Sequence, residues 1–494
     1  MGKCMADVVL FYPKTGFDIG AGITPPHSVL SIAAEIKDDY EVRIIDQRVE
    51  PSWKEALAKE LKKNPLCVGV SSMTGMQINF ALEASKMVRE HSDAKIIWGG
   101  VHATLLPEQT VRNENIDIVV RGEGELTFRE LIPALQKGQA LKNIKGLAYK
   151  TKGRVVSTED RPFLDMNVLK ETPWELVNVK SYIHRNVVRK GSRGELDIGE
   201  TSRGCPFRCG FCYNMVFNKG CWRSLSVENT VKKIRSAIER FNLDVIWLRD
   251  DNFFVNIERA REVAEIINKE GIRVFWYTSG IRTDIFERMS DEDIKELKKS
   301  GCEGFRFGIE SGNQRILNLI EKNITKEQAL RVNHKCKRLD VIPHYSFMAG
   351  FPSETIGDVI DTVQMMKKMK RENKKAVVHV INMFTPYPGT KLFDMAVKSG
   401  LMIPESLQEW SEYHHLNNFA NHLPWKERET VTNISDISYV VSDAMNEALP
   451  KPMQILISPF KLWLRLRWNF EWFSFAPEMK AFRFIRNNVM KNSM

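Results

Sequence analysis

Three cysteines stand within eight residues in the segment TSRGCPFRCGFCYN, at Cys205, Cys209 and Cys212. Thiolates are soft ligands, and three on one tight loop suit an iron-sulfur cluster in which one metal keeps a position free of protein. A closed structural zinc site wants a fourth donor nearby, and Cys221, nine residues on, is the candidate for that alternative. The chain has eight cysteines without regular pairing, which fits a reducing compartment where clustered thiols hold metal more often than they form disulfides. Cys4, Cys67, Cys302 and Cys336 lie apart in sequence and read as buried or incidental thiols.

Other polar groups gather in short glycine-rich stretches. SSMTG at 71–75 carries Ser72, Thr74 and Gly75 and is followed by Gln77; GGVHAT at 99–104 carries Gly99, Gly100 and His102; RGEGE at 121–125 carries Gly122, Glu123 and Gly124. Glycine lets a flat ligand approach the backbone closely, while hydroxyls meet its polar edge. One such stretch marks a plain turn, but three at successive strand ends point to one ligand site. Asp250 and Asp251 in RDDNFF can orient a substrate or accept a proton, and can equally cap the next helix. Tyr345 in PHYSF and Tyr387 in TPYPG offer phenols at strand ends, with core packing as the plainer role.

The elements that must position these groups follow from periodicity. Residues 6–135 alternate apolar runs (DVVLFYP, YEVRIIDQ, CVGVSSMTG, AKIIWGG, IDIVVRGEGE) with amphipathic stretches, which predicts a doubly wound α/β domain over 1–140. Residues 141–193 read as a connector containing a hairpin, LAYKTKGRVVST. A second series of about six strands with helical crossovers fills 194–399 and predicts a full or partial parallel barrel with its site at the strand carboxyl ends. The three cysteines follow the first of those strands. Residues 400–494 form a less regular, mainly helical C-terminal region.

Composition bounds the rest. With 43% hydrophobic and 27% charged residues, and no apolar run long enough to cross a bilayer, the chain reads as a cytoplasmic globular protein. Its N-terminus passes into DVVLFYP without a separate signal segment, which predicts no export. The net charge is +10, and from Lys451 onward eight Lys or Arg face two Glu. That tail sets Trp463, Trp468 and Trp472 beside basic groups in FKLWLRLRWNFEWFSF, as a helix on a membrane surface or on a partner does. An aromatic stripe packed on the body of the protein is the alternative. No basic stripe or stacking motif recurs elsewhere, which argues against a nucleic-acid partner.

CPFRCGFC, with Phe211 before the last cysteine and Tyr213 after it, resembles the cluster motif of the radical S-adenosylmethionine (SAM) enzymes. The resemblance implies a 4Fe-4S cluster on Cys205, Cys209 and Cys212 whose open iron chelates SAM, with Phe211 and Tyr213 near it. GFRFGIES resembles the family's glycine-and-glutamate strand and makes Glu310 a SAM contact; YTSGIR implies the same for Ser279 and Arg282, with an ordinary ion pair as the alternative for Arg282 and Glu310. Over 6–395 the chain also resembles the branch in which a cobalamin-binding domain precedes the radical SAM barrel. Ser72, Thr74, Gly75, Gln77, Gly99, Gly100, His102, Gly122, Glu123 and Gly124 would then line the cobalamin. One departure matters: in DQRVE, Arg48 stands where methionine-synthase-like domains carry the cobalt-ligating histidine, and a guanidinium cannot ligate cobalt. His102 then lies near the corrin or its tail, the axial role being the lesser alternative.

What the resemblance implies is C-methylation of an unactivated carbon. One SAM supplies the methyl of methylcobalamin, and a second gives the 5′-deoxyadenosyl radical that removes hydrogen from the acceptor. The implied partners are an electron donor of flavodoxin or ferredoxin type and an acceptor that is a protein side chain, such as a glutamine of methyl-coenzyme M reductase, or a lipid. The enzyme is expected to be cytoplasmic, with a peripheral membrane position open to it through the tail. A cyclase, oxidase or coupling enzyme with the same cofactors, resembling the anaerobic magnesium-protoporphyrin cyclase, is the second reading. A sensor without turnover is the third.

Overall fold

Five short apolar runs build the first sheet: β1 (Val8–Tyr12), with α1 (His27–Ile36) after it, β2 (Val42–Asp46), β3 (Cys67–Ser71), β4 (Lys95–Gly99) and β5 (Ile118–Val120). β3 is buried at every residue, which is why its sequence shows no polar alternation. In this computed structural model, residues 8–16, 18, 22–413, 423, 425–442 and 458–484 are described, so Cys4 and the last basic residues of the tail lie outside them. The chain divides into two compact units. The first comprises Met1–Arg203, Val216–Arg249 and Pro404–His414; the second comprises Gly204–Met215, Asp250–Ile403 and His415–Met494.

In the first unit the five strands are parallel in the order β2-β1-β3-β4-β5. Winding reverses between β1 and β3, and ligands of such sheets bind beyond the carboxyl ends near that point. The crossovers are α2 (Trp53–Leu61), α3 (Gln77–His91), α4 (Val101–Leu105) with α5 (Pro107–Arg112), and α6 (Glu125–Gln136) follows β5. The hairpin read as part of a connector, β6 (Leu147–Thr151) and β7 (Arg154–Ser157), continues the same sheet antiparallel to β5. Also in this unit are β8 (Glu195–Asp197) and the two-residue β9 (Ser202–Arg203). After the short α7 (Asn214–Phe217) come β10 (Arg223–Ser224), antiparallel to β9, then α8 (Val227–Phe241) and β11 (Val245–Leu248), parallel to β8.

The second unit continues the βα alternation with α9 (Ile257–Lys269), β12 (Phe275–Thr278), α10 (Thr283–Arg288), α11 (Asp291–Lys299), β13 (Arg306–Glu310), α12 (Gln314–Leu319), α13 (Lys326–Arg338), β14 (His344–Ala349), α14 (Ile356–Glu372) and β15 (Val377–Met383). β13, β14 and β15 pair in parallel, and single parallel bridges Trp276↔Cys302 and Ile281↔Phe307 join the β12 end to the β13 side. Capping boxes at Ser290, Thr325 and Thr355 fix where α11, α13 and α14 begin. Three helices complete the unit: α15 (Lys391–Lys398), α16 (Trp425–Val441) and α17 (Ser458–Asn469). α16 is stitched to β15, since Ser438 Oγ accepts from Ile381 N at 2.9 Å and Ser435 Oγ donates to Ile381 O at 2.7 Å. The order expected from the sequence is thus the one observed: a doubly wound sheet, a βα series with parallel strands, then helices.

Candidate functional site

In the first unit, the glycine-rich stretches at 71–75, 99–104 and 121–125 lie at the carboxyl ends of β3, β4 and β5. The first two are stitched together. Ser72 donates from both N and Oγ to Gly99 O (2.9 and 2.8 Å), and His102 N donates to Ser72 O (3.1 Å). Gly100 has φ +92°, and a Cβ there would lie 2.6 Å from Ser72 O, so only glycine permits the stitch. Gln77 braces the same loop, accepting from Met73 N (2.8 Å) and donating to Pro13 O (3.1 Å). Gly75 N donates to Trp410 O at 3.2 Å. Gly122, at φ +71°, faces open space, the surface a flat ligand needs.

His102 is fully buried, with Nδ1 3.0 Å from Thr74 Oγ1 and the Trp410 ring 5.8 Å away. Its Nε2 has no protein partner, and burial pushes its pKa down to about 3, so the ring is neutral. An orphaned, neutral imidazole nitrogen on the second glycine-rich stretch fits a site that receives a polar cofactor. Two expected contacts are otherwise engaged. Glu123 accepts from Arg203 (3.1 Å), from Leu164 N (3.1 Å) and pairs with Arg223 (3.2 Å), while at Gly124 a Cβ would sit 2.7 Å from the tip of the Ile32 side chain.

The β2 loop is closed. Arg48 forks onto Asp46 (2.9 and 2.6 Å), donates to Thr24 O (2.8 Å) and lies 4.2 Å over the Tyr12 ring, while Tyr182 adds its hydroxyl to Asp46 at 2.8 Å. Where a cobalt ligand would come from, this chain has a satisfied buried ion pair. A second buried carboxylate, Asp197 on β8, accepts from His27 (3.1 Å) and Gly199 N (2.9 Å) and pairs with Arg249. Beside it a cavity of about 300 Å³ is lined by His27, Trp174, Gly199, Glu200 and Arg203.

In the second unit the cysteine loop is held at both ends by Asp251, which accepts from Gly204 N (2.8 Å) and from the Tyr213 hydroxyl (3.3 Å). Asn252 aims its amide at Cys205 Sγ (3.9 Å), and Arg282 aims Nη1 at Cys209 Sγ (3.5 Å). Arg282 also pairs with Asp284 (2.9 Å), donates to Lys322 O (2.6 Å) and stacks 3.8 Å over Phe207. Burial pushes the Cys212 thiol up to about 12 and raises Cys205 as well, so these sulfurs ionise only with a cation beside them. Each is within electrostatic reach of the other cysteines, and among the described residues no three His, Cys, Asp or Glu side chains converge on one ion position. N–H groups aimed at sulfur are the kind of outer contact that tunes a thiolate-held cluster. Cys221, the zinc alternative's fourth donor, is exposed with its thiol 4.0 Å from Lys219 O.

Glu310 ends β13 with φ +69°, at a register shift against β14. A non-glycine residue in that region is strained and is held there by its surroundings. The holder is Lys322, buried, 2.8 Å from Glu310 Oε1; burial opposes its charge, but the Glu310 carboxylate keeps its pKa above the ordinary lysine value. Gly308 is the room for this pair, since a Cβ there would collide with the Glu310 carboxylate and lie 3.1 Å from Lys322 Nζ. Phe211 packs on the cluster of Ile316, Phe351 and Leu392 beneath the loop.

The remaining expected residues are distributed differently. Asp250 is fully buried beside the charge of Arg259, and neither it nor Asp251 caps α9, whose cap is Asn256. Tyr345 is a core residue, its hydroxyl donating to Asn333 on α13 at 3.1 Å. Tyr387 is half-buried after β15, and Ser279 is exposed after β12. Lys322, Asn252 and Arg203 were not singled out by the sequence. Only Arg203, directly before Gly204 and the first cysteine, had a positional signal.

The geometry defines a class: an iron-sulfur loop on a βα series, preceded by a doubly wound domain with an open glycine ledge. Comparison with known proteins gives the family. The radical SAM superfamily profile matches residues 200–366 and the B12 binding domain profile residues 20–132. An uncharacterized methyltransferase of Pyrococcus horikoshii is 30% identical over 430 residues, covering 86% of this chain and 86% of that protein. The anaerobic magnesium-protoporphyrin IX monomethyl ester cyclase of Cereibacter sphaeroides is 27% identical, covering 77% of this chain and 62% of its own length. Among solved structures, the radical SAM methyltransferase TsrM from Kitasatospora setae, with cobalamin and a 4Fe-4S cluster bound, superposes with a TM-score of 0.64 at 17% identity over 81% of this chain and 76% of that one. The chain belongs to the cobalamin-binding branch of the radical SAM superfamily. It is an enzyme whose cofactors are a 4Fe-4S cluster, SAM and cobalamin.

Proposed function

We propose that the enzyme is a C-methyltransferase that acts on an unactivated carbon of a protein side chain, such as a glutamine of methyl-coenzyme M reductase, or of a lipid. The observation that carries this reading is the closed β2 loop. With Arg48 locked on Asp46, the loop offers cobalt no histidine. A corrinoid without that strong lower ligand is easier to reduce and releases a methyl group more readily. The bound cofactors supply the radical and the methyl group; the chain's own part is placement and exclusion of water. Cys205, Cys209 and Cys212 would hold the cluster, and Glu310, oriented by Lys322, would be a SAM contact, while Asn252 and Arg282 donate toward the cysteine sulfurs. Gly99, Gly100 and Gly122 let the corrin approach, with His102 as a neutral donor or acceptor at its edge.

The likeness to the cyclase favours a second reading, in which the same cofactors serve oxidation or ring closure without methyl transfer. Methyl-labelled SAM and a reductant separate the two. Methyl transfer predicts label in the product together with S-adenosylhomocysteine and 5′-deoxyadenosine. 5′-Deoxyadenosine with no label in any product contradicts it.

A further inference from the structure

α17 is amphipathic the wrong way round for a helix that only serves a core. Its inner stripe is Lys461, Leu464 and Arg467, all buried, while Leu462, Trp463 and Leu466 face outward at 61%, 41% and 45% exposure. The segment after it continues the outer face with Phe470 at 80%, Trp472 at 49% and Phe475 at 70% exposure. Ordinary packing turns the apolar stripe inward. Here the inward cation is held at both terminal nitrogens: Arg467 pairs with Glu478 (3.0 Å), donates to Phe475 O (2.6 Å) and stacks 4.6 Å from the Trp472 ring. Trp463 donates to the same Glu478 (3.1 Å) and meets Trp472 ring to ring at 5.8 Å, so the two indoles are ordered before anything binds. Seven of the fourteen exposed large apolar side chains among the described residues fall within 458–484. That makes a concentrated patch of the kind soluble surfaces avoid.

We propose that this face docks the enzyme on an anionic lipid surface. Leucine and tryptophan on one side of a helix, with exposed phenylalanines just beyond its end, match the boundary between headgroups and acyl chains. The charge is complementary to anionic headgroups: Arg465 is exposed on α17 between Leu462 and Leu466, and, leaving aside the inward Lys461 and Arg467, the sequence from Lys451 onward carries six basic residues against two acidic. The helix has twelve residues, about 18 Å of length, and no helix among the described residues is long and apolar enough to cross a membrane. It therefore lies along the surface. An acidic polypeptide would answer the basic groups but leave the six large apolar side chains uncovered. The docking rests on no part of the methyl-transfer reading, and either can fail alone.

The test is flotation of the full-length, cofactor-loaded enzyme with vesicles of phosphatidylcholine alone and vesicles enriched in phosphatidylglycerol. The enzyme is expected to float with the anionic vesicles, to bind neutral ones about tenfold less, and to show a blue shift of tryptophan emission. Leu462→Ser with Leu466→Ser is expected to weaken binding about tenfold, as is Phe470→Ser with Phe475→Ser, which lies outside the helix. Unchanged thermal melting and cluster absorbance certify that both variants are folded. Failure of the wild-type enzyme to bind either vesicle overturns the proposal, as does full binding by both variants. A dimer that these substitutions dissociate, without vesicle binding, also overturns it and assigns the face to a second copy of the chain.

Discussion

The β2 loop of the first unit and the cysteine loop of the second are both built around a strong hydrogen-bonding residue, yet they are opposites. Arg48 is answered by Asp46, Thr24 and Tyr12, and Asp46 is answered again by Tyr182. The cysteine loop is braced at its ends, burial raises the Cys205 and Cys212 thiols, and Asn252 and Arg282 aim donors at Cys205 and Cys209. A closed ionic centre stabilises a fold, whereas donors aimed at cysteine sulfurs are organised for thiolates that hold a cation the chain does not itself contain. The same contrast separates Arg48 from His102, whose Nε2 has no protein partner.

The difference can be broken from either side. The largest effect is expected at the open centre. Replacing any one of Cys205, Cys209 or Cys212 by Ala should abolish the cluster absorbance and lower 5′-deoxyadenosine formation by about a thousandfold or more, since the electron source is lost; activity close to wild type would place the cluster elsewhere.

Glu354 is a second incomplete centre in the second unit. Its Oε2 accepts from Gly350 N and Phe351 N, but Oε1 has no partner, and burial pushes its pKa up to about 8. A raised carboxyl pKa means that stability is fully present below the unfolded value near 4.5 and is lost as pH rises through 8. Wild-type stability should therefore fall by on the order of 4 kcal/mol across that window. Glu354→Gln should flatten the fall, as guanidinium denaturation at both ends of the window reads. An equal slope in the variant would mean that Glu354 does not titrate there.

At the closed centre, Arg48→Met should cost about 3 kcal/mol by leaving Asp46 buried without its partner, and should leave the cluster absorbance untouched. Loss of the cluster in that variant would show that the two loops are not independent.

Much of this was legible in the sequence for simple reasons. The cysteine loop is local, so spacing alone reveals it, and the glycine stretches stand at strand ends that apolar runs mark clearly. Contacts between distant segments were not legible. Glu310 meets Lys322 across the α12 helix, and nothing in LNLIEKN marks a lysine that will be buried. Glu123 looked like part of a ligand loop because Arg203 and Arg223, which claim it, come eighty and one hundred residues later. Tyr345 is the second residue of β14, at the amino end of the strand and not the carboxyl end that a site uses, and its buried hydroxyl donates to Asn333 on α13. The tail's helical spacing was visible, yet the partner of its inward Arg467, Glu478, lies outside the helix.

The most direct test of the central claim is electron paramagnetic resonance of the anaerobically reconstituted, reduced enzyme with and without SAM. An open iron held by three thiolates predicts a 4Fe-4S signal that changes when SAM binds and is absent when the three cysteines are replaced. A signal indifferent to SAM, or a protein that retains zinc and no iron, would contradict the account.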